Sequence, residues 1–417
     1  NFLRLRATDP SSRQERTCPR SLVHPKPACY RGRRVTLLNE HLLTPANLSH
    51  VSTTFLHIGL HKTGTKFLQH EVFPRLSSER LFYNPTVLDQ RMLDYLQADA
   101  IDRPAALARL HSVHHDLLEE NPRTKVLLSR EAMSGNLFSA YRDWDEHMDA
   151  VHSAFPDSEV LVVLRFQSDW LESCYRESVH EHHYQSIKEF LSFDDSRGVF
   201  TSPSDDVNGH GMAQLDALRL DYPQMLLRLF ELFGRNRIHV LFFEELKSSP
   251  ARFTDRILAA MRVDGRLARN HLSNRPNRGF SALSIELSLL RAELLQRHGL
   301  AHQIHRPIFF YGPKAIPMGR EDLSLLDKRK YWGPDLLRDN EEVRSPNYPH
   351  LSGDELTSLE SSWRYICKNQ LDKSLYADWD LLENLRPLLD DHYREVNTKL
   401  SEILPPSSIP AKYLPGS

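Results

Sequence analysis

Cysteine is scarce: Cys18, Cys29, Cys174 and Cys367 are four in 417 residues, and none forms a CxxC pair. A disulfide scaffold is excluded by so few cysteines in so long a chain. Reduced thiols are expected throughout, with pairing of Cys18 and Cys29 open only in an oxidising compartment. Long apolar runs are absent, and none approaches the ~18 residues that a membrane-spanning helix needs. A basic surplus is absent too. Lys+Arg 53 against Asp+Glu 55 leaves a formal net charge of -2, whereas general nucleic-acid binders carry a clear positive excess. The 22 histidines are scattered, with no HExxH and no tight ligand cluster, so no metal is expected. The opening Asn-Phe-Leu-Arg-Leu-Arg has neither an initiator Met nor a signal-peptide apolar core. A cytoplasmic location is expected, and a Golgi or other secretory lumen stays open if the N-terminus is trimmed.

What is present is ordinary globular material, 40% hydrophobic and 26% charged, enough to build a large core. Residues 1–50 are rich in Arg, Pro and Ser, without apolar period, and read as an irregular arm with a short strand at Arg34–Leu38. From Thr53 the texture changes. Thr54–Gly59, Lys125–Ser129, Glu159–Arg165 and Arg237–Phe243 read as short buried strands. Lys66–Val72, Asp169–His180, Tyr222–Phe233 and Pro250–Met261 read as helices, the third ended by Gly234. Strand and helix in alternation predict an α/β fold with a mostly parallel sheet flanked by helices, over 51–280. Residues 281–417 predict a helical C-terminal extension on the same domain, with helices at Ser281–His298, Glu355–Asn369 and Leu381–Leu400. Ser, Asp, Gly and Asn over 196–212 predict a mobile loop. No internal repeat is found.

The segment Phe55-Leu-His-Ile-Gly-Leu-His-Lys-Thr-Gly-Thr-Lys-Phe-Leu-Gln69 carries the strongest chemical signal. A strand runs into a Gly-bearing loop and then a helix, which aims backbone N–H groups at an anion. Gly59 and Gly64 permit tight backbone, Thr63 and Thr65 offer hydroxyls, and Lys62 offers charge. An ATPase loop reads GxxxxGK[ST], with Lys directly after the second Gly. Here Gly64 is followed by Thr65 and then Lys66, and Lys62 precedes it.

That departure resembles the 5′-phosphosulfate loop of the sulfotransferase family. The resemblance implies a P-loop-type fold in which Lys62, Thr63, Gly64, Thr65 and Lys66 hold 3′-phosphoadenosine-5′-phosphosulfate as co-substrate. In Arg165-Phe-Gln-Ser-Asp-Trp-Leu-Glu-Ser173, an Arg at a strand end and a Ser eight residues on match the family's 3′-phosphate motif, which implies that Arg165 and Ser173 hold that phosphate. The Phe243-Glu-Glu-Leu246 stretch is similar to another family segment. Asn277-Arg278-Gly279 lies where the family brings a basic loop over the nucleotide, and this implies Arg278 as a further partner.

Transfer also needs a base for a hydroxyl acceptor, whether sugar, lipid or small molecule. Leu128-Ser-Arg-Glu131 puts a carboxylate at a strand's C-terminal end, where open α/β sheets bind ligands, and resembles the branches that use Glu. Glu131 is therefore the expected base and Lys62 the expected stabiliser of the leaving phosphate. His57, His61, His180 and His182 are the rivals for the base. Arg306–Tyr311 and Tyr331-Trp332 are candidates for lining an acceptor pocket. Two other readings stay open: a P-loop kinase or NTPase, and a nucleotide-binding module without catalysis.

Overall fold

Glu159–Leu164 is buried at every position, as a strand covered on both faces must be. It forms an inner strand of the sheet seen in a computed structural model. The structure describes residues 53–77, 81–122, 124–181, 183–203, 213–263, 279–297 and 363–416. These all fall within one compact unit, Ser49–Ser417. The expectations for residues 1–50, 306–311 and 331–332, and for His182, Arg278 and most of 196–212, lie outside the described residues.

Five parallel strands make the sheet: β1 (Thr54–Ile58), β2 (Leu81–Tyr83), β3 (Lys125–Arg130), β4 (Glu159–Leu164) and, after a small antiparallel hairpin of β5 (Phe193–Asp194) and β6 (Val199–Phe200), β7 (Ile238–Phe242). Their order is β2-β3-β1-β4-β7. The expected α/β fold with a mostly parallel sheet and a helical C-terminal region is therefore present. Two strand features were not anticipated. β2 has only three residues, too few for a periodic signal, and the hairpin occupies the start of the expected loop.

Alternate residues of each strand feed opposite faces, as the two-residue period requires. Leu56, Ile58, Val160, Val162 and Leu164 point to one core. Helices α2 (Thr86–Gln97), α3 (Arg103–Glu120), α4 (Trp144–Ala154), α5 (Gln167–His180) and α7 (Tyr222–Phe233) cover it, α6 (Ile187–Phe190) being a short turn before the hairpin. Phe55, Leu161 and Val163 point to the other. That face is covered by the helical run from α1 (Thr65–Phe67) through Leu76, by α8 (Phe243–Ser248) and by α9 (Pro250–Met261).

The C-terminal segments dock on α5. α10 (Ala282–Arg297) packs there, as does α11 (Leu385–Asn397), whose Asn397 exchanges two buried amide hydrogen bonds with Gln167 at 2.8 and 2.9 Å. Arg386 from α11 donates to Asp169 and Glu172 at 2.9 and 2.6 Å.

From β1 the chain moves toward β3 and β2; from β4 it moves the other way, to β7. The carboxyl ends of β1 and β4 thus flank a topological switch point, the crevice where open α/β sheets bind ligands. Loop 59–64 leaves one side of it, Arg165 the other, and Glu131 follows directly on the strand next to β1.

Candidate active site

Loop 59–64 is held in place by side chains from outside it. Lys62 has φ 64 and Gly64 φ 90, and a left-handed backbone is costly for a long side chain. Three contacts hold it there. The His61 N–H donates to Tyr141 Oη at 2.8 Å, Trp170 Nε1 donates to the His61 carbonyl at 2.8 Å, and Arg165 Nη1 donates to the Lys62 carbonyl at 2.9 Å. Trp170 is wholly buried and Tyr141 nearly so, and their rings lie 5.6 Å apart. Both glycines are sterically required. A Cβ on Gly59 would come within 2.8 Å of the Thr65 side chain, and one on Gly64 within 2.6 Å of Leu246 Cδ2.

Thr63 and Thr65 point inward. Both hydroxyls donate to the Leu60 carbonyl, at 2.6 and 3.3 Å, so they fasten the loop to itself. Donors for an anion then come from the backbone: α1 opens at Gly64 with no side-chain cap, and the first N–H groups of a helix have no intrahelical acceptor. Lys66, in the first turn, is exposed.

Lys62 reaches out of the loop to α5, where Nζ lies 2.9 Å from Glu177 Oε2, and both side chains are about one-quarter exposed (23% and 25%). Burial by itself would raise the Glu177 carboxyl, but Lys62, His180 and Lys66 override it and hold it at about 2. Glu177 was not foreseen, although it stands one helical turn beyond Ser173, which is half-buried on the same helix. Glu177, His180 and Glu181 bring three potential cation ligands within 4.8 Å of one another. Each is already engaged: Glu177 by Lys62, His180 by Glu181, and Glu181 by Arg364 as well.

Arg165 leaves β4 beside the loop. Besides its bond to Lys62, its guanidinium lies over the Phe243 ring, 4.8 Å from the centroid, and its buried Nε has no partner among the described residues. Burial lowers the Arg165 pKa from its ordinary value.

Glu131 opens the 3-10 turn Glu131–Ser134 after β3 and is half-buried. The neighbouring Arg130 is committed elsewhere, donating from Nε to Asp89 at 2.7 Å and from Nη2 to the same carboxylate. Among the described residues no hydrogen bond or ion pair engages the Glu131 carboxylate. It lies near enough to His61 to act on it by charge: the His61 pKa is lowered by burial against the opposing pull of Glu131.

The histidine rivals are placed as follows. His57 is buried in β1 with Nδ1 2.7 Å from Ser129 Oγ, and burial pushes it down to about 3. His61 is buried, its Nδ1 3.3 Å from Tyr141 Oη. His180 sits at the end of α5 with Nδ1 3.2 Å from Glu181.

No family model matches this chain, and no curated protein does. Among solved structures it is similar to the sulfotransferase from Alicyclobacillus acidocaldarius, at 18% identity and TM-score 0.34, over 59% of this chain and 94% of that one. It is also similar to the sulfotransferase domain from the curacin biosynthetic pathway, at 13% identity and TM-score 0.28, over 55% and 78% of the two chains. Mouse sulfotransferase SULT7A1 complexed with PAP gives 10% identity and TM-score 0.23, over 78% and 88%. Similarities this low decide nothing about chemistry, which rests on the residues. No described helix is long and apolar enough to cross a membrane.

Proposed function

We propose that the crevice carries out group transfer from an anionic nucleotide, and that the enzyme is a sulfotransferase using 3′-phosphoadenosine-5′-phosphosulfate and a hydroxyl-bearing acceptor. One observation carries this reading. Lys62, inside the loop and ahead of Gly64, is the loop's charge, while the hydroxyl after Gly64 is turned inward onto Leu60. An ATPase loop needs the opposite arrangement, with Lys after the second Gly and the next hydroxyl on magnesium.

The residues fit the co-substrate. The uncapped helix start at Gly64 suits the 5′-phosphosulfate, with Lys62, Thr63, Thr65 and Lys66 around it. Arg165 and Ser173 suit the 3′-phosphate, and Arg278 is proposed as an additional contact. In the transfer step the acceptor oxygen attacks sulfur in line. A new S–O bond forms as the bond from sulfur to the bridging oxygen breaks, and that electron pair leaves with 3′-phosphoadenosine 5′-phosphate. Lys62 stabilises the charge growing on the bridging oxygen. Glu131 takes the acceptor's proton, a task for which its unengaged carboxylate is available. No step requires a metal.

Calorimetric titration with 3′-phosphoadenosine 5′-phosphate and with ATP tests the reading. The sulfotransferase assignment expects clear preference for the 3′-phosphorylated nucleotide with no magnesium added. Preference for magnesium-ATP would replace it with a kinase or NTPase.

A further inference from the structure

The end of β4 gathers more positive charge than it has carboxylates to spare. Arg165 and Lys247 both lie over the ring of Phe243, at 4.8 and 5.4 Å from its centroid. That ring borders the phosphate loop, since a Cβ on Gly64 would meet it at 3.3 Å. Glu172 acts on Arg165 alone and is held by Arg176 and Arg386, and two acids stand close enough to act on both cations, Asp169 and Glu244. Both are taken by other donors. Asp169 accepts from Arg386 at 2.9 Å and from Lys412 at 2.6 Å. Glu244 accepts from the Phe166 N–H at 3.0 Å and from Tyr413 Oη at 3.1 Å. Among the described residues, Lys247 Nζ has no hydrogen bond or ion pair. Arg165 spends Nη1 on the Lys62 carbonyl and leaves Nε unpaired.

We infer that Lys247, Arg165 and the Phe243 ring between them form a phosphate-monoester subsite, with Lys247 a nucleotide-binding residue that sets the preference for a 3′-phosphorylated ligand. This rests on the function proposed above and adds a residue to it. A phosphate monoester carries about −1.5 to −2 at neutral pH, which matches two cations better than one carboxylate or a phosphodiester would. The arrangement is built from a distance: Arg386 and Lys412, both from the C-terminal segment, pair with Asp169, while Tyr413 of the same segment holds Glu244 by a hydrogen bond. Burial, together with the Arg165 charge, lowers the pKa of Lys247 from its ordinary value, as expected for a cation short of counter-charge.

The test is the affinity of K247M, K247R and wild type for 3′-phosphoadenosine 5′-phosphate and for adenosine 5′-phosphate, which lacks the 3′ group. K247M should weaken the first about tenfold, the scale of one charge-assisted contact, and change the second less than about twofold. K247R should restore most of the loss. Lys247 makes no hydrogen bond or ion pair among the described residues that the substitution would break, so the melting temperature should hold. Equal losses on both ligands, or none, overturn the inference. If K247M keeps the full preference seen in wild type, this inference alone fails. If wild type shows no preference between the two nucleotides, both this inference and the proposed function fail.

Discussion

Lys62 Nζ lies 2.9 Å from Glu177 Oε2, so the charge that the phosphate loop would offer to an incoming anion is already held by a carboxylate of α5. Ligand and Glu177 therefore compete for one ammonium. E177Q should tighten 3′-phosphoadenosine 5′-phosphate by about three- to tenfold, because the competing charge is gone while the loop contacts remain. Calorimetry decides this; weaker binding would mean that Glu177 helps to position the ligand.

The same pair sets an acid dependence. Against the raising effect of burial, Lys62 holds the folded carboxyl at about 2, below its ordinary 4.5. A group depressed on folding stabilises the native state above the unfolded pKa, and that contribution is lost as pH falls through the folded one. Wild type should lose stability between pH 4.5 and 2 more steeply than E177Q, measured as urea midpoints. Parallel curves would remove Glu177 from acid unfolding.

K62A should reduce turnover by about 10²- to 10³-fold, the scale for losing one stabiliser of developing charge. Its effect on stability should stay near or below about 1 kcal/mol, because a partly exposed ion pair contributes little. Turnover close to wild type would take Lys62 out of the mechanism.

For E131Q, nucleotide affinity should persist, since the carboxylate is proposed to take the acceptor's proton and not to hold a phosphate. The rate should drop about 10²- to 10⁴-fold, and the acidic limb of the pH–rate profile should disappear. A surviving limb at the pKa of a histidine would shift the base to His61 or His180.

His57 supplies a separate pH window. It is buried and neutral, its pKa pushed down to about 3 from 6.5, so unfolded chains take up a proton that the native state refuses. Stability should therefore fall as pH drops from about 6.5 toward 3, by at most ~4–5 kcal/mol. H57Q should flatten that slope. An unchanged slope would place the acid sensitivity elsewhere.

The sheet was readable where strands are covered on both faces. Val160–Leu164 has no competing period, and Pro223 and Pro250 open two helices whose limits, Tyr222–Phe233 and Pro250–Met261, match the expected ones. The loop around Gly59 and Gly64 was readable because its backbone geometry admits few residues. Tyr141, Glu177 and Lys247 were not. Each is placed by a neighbour distant in the chain (His61, Lys62 and Arg165), and no local pattern marks a residue whose role depends on what folds against it. Thr63 and Thr65 show the converse: their position in the motif was plain, but the direction of their hydroxyls depended on the Leu60 carbonyl.

The clasp of the C-terminal segment on α5 and α8 has a consequence for biosynthesis. Asn397, Lys412 and Tyr413 close contacts reaching 230, 243 and 169 residues back along the chain. Contacts of such separation form late, since a long loop must close before they contribute. A nascent chain can emerge past Phe242 and align all five parallel strands while Asp169 still lacks Lys412 and Glu244 still lacks Tyr413. Until Arg386 and Lys412 leave the ribosome, Asp169 is free to neutralise Arg165 and Lys247. The proposed anion site should therefore gain its full affinity only once residues 386–413 have emerged, well after the sheet beneath it has taken shape.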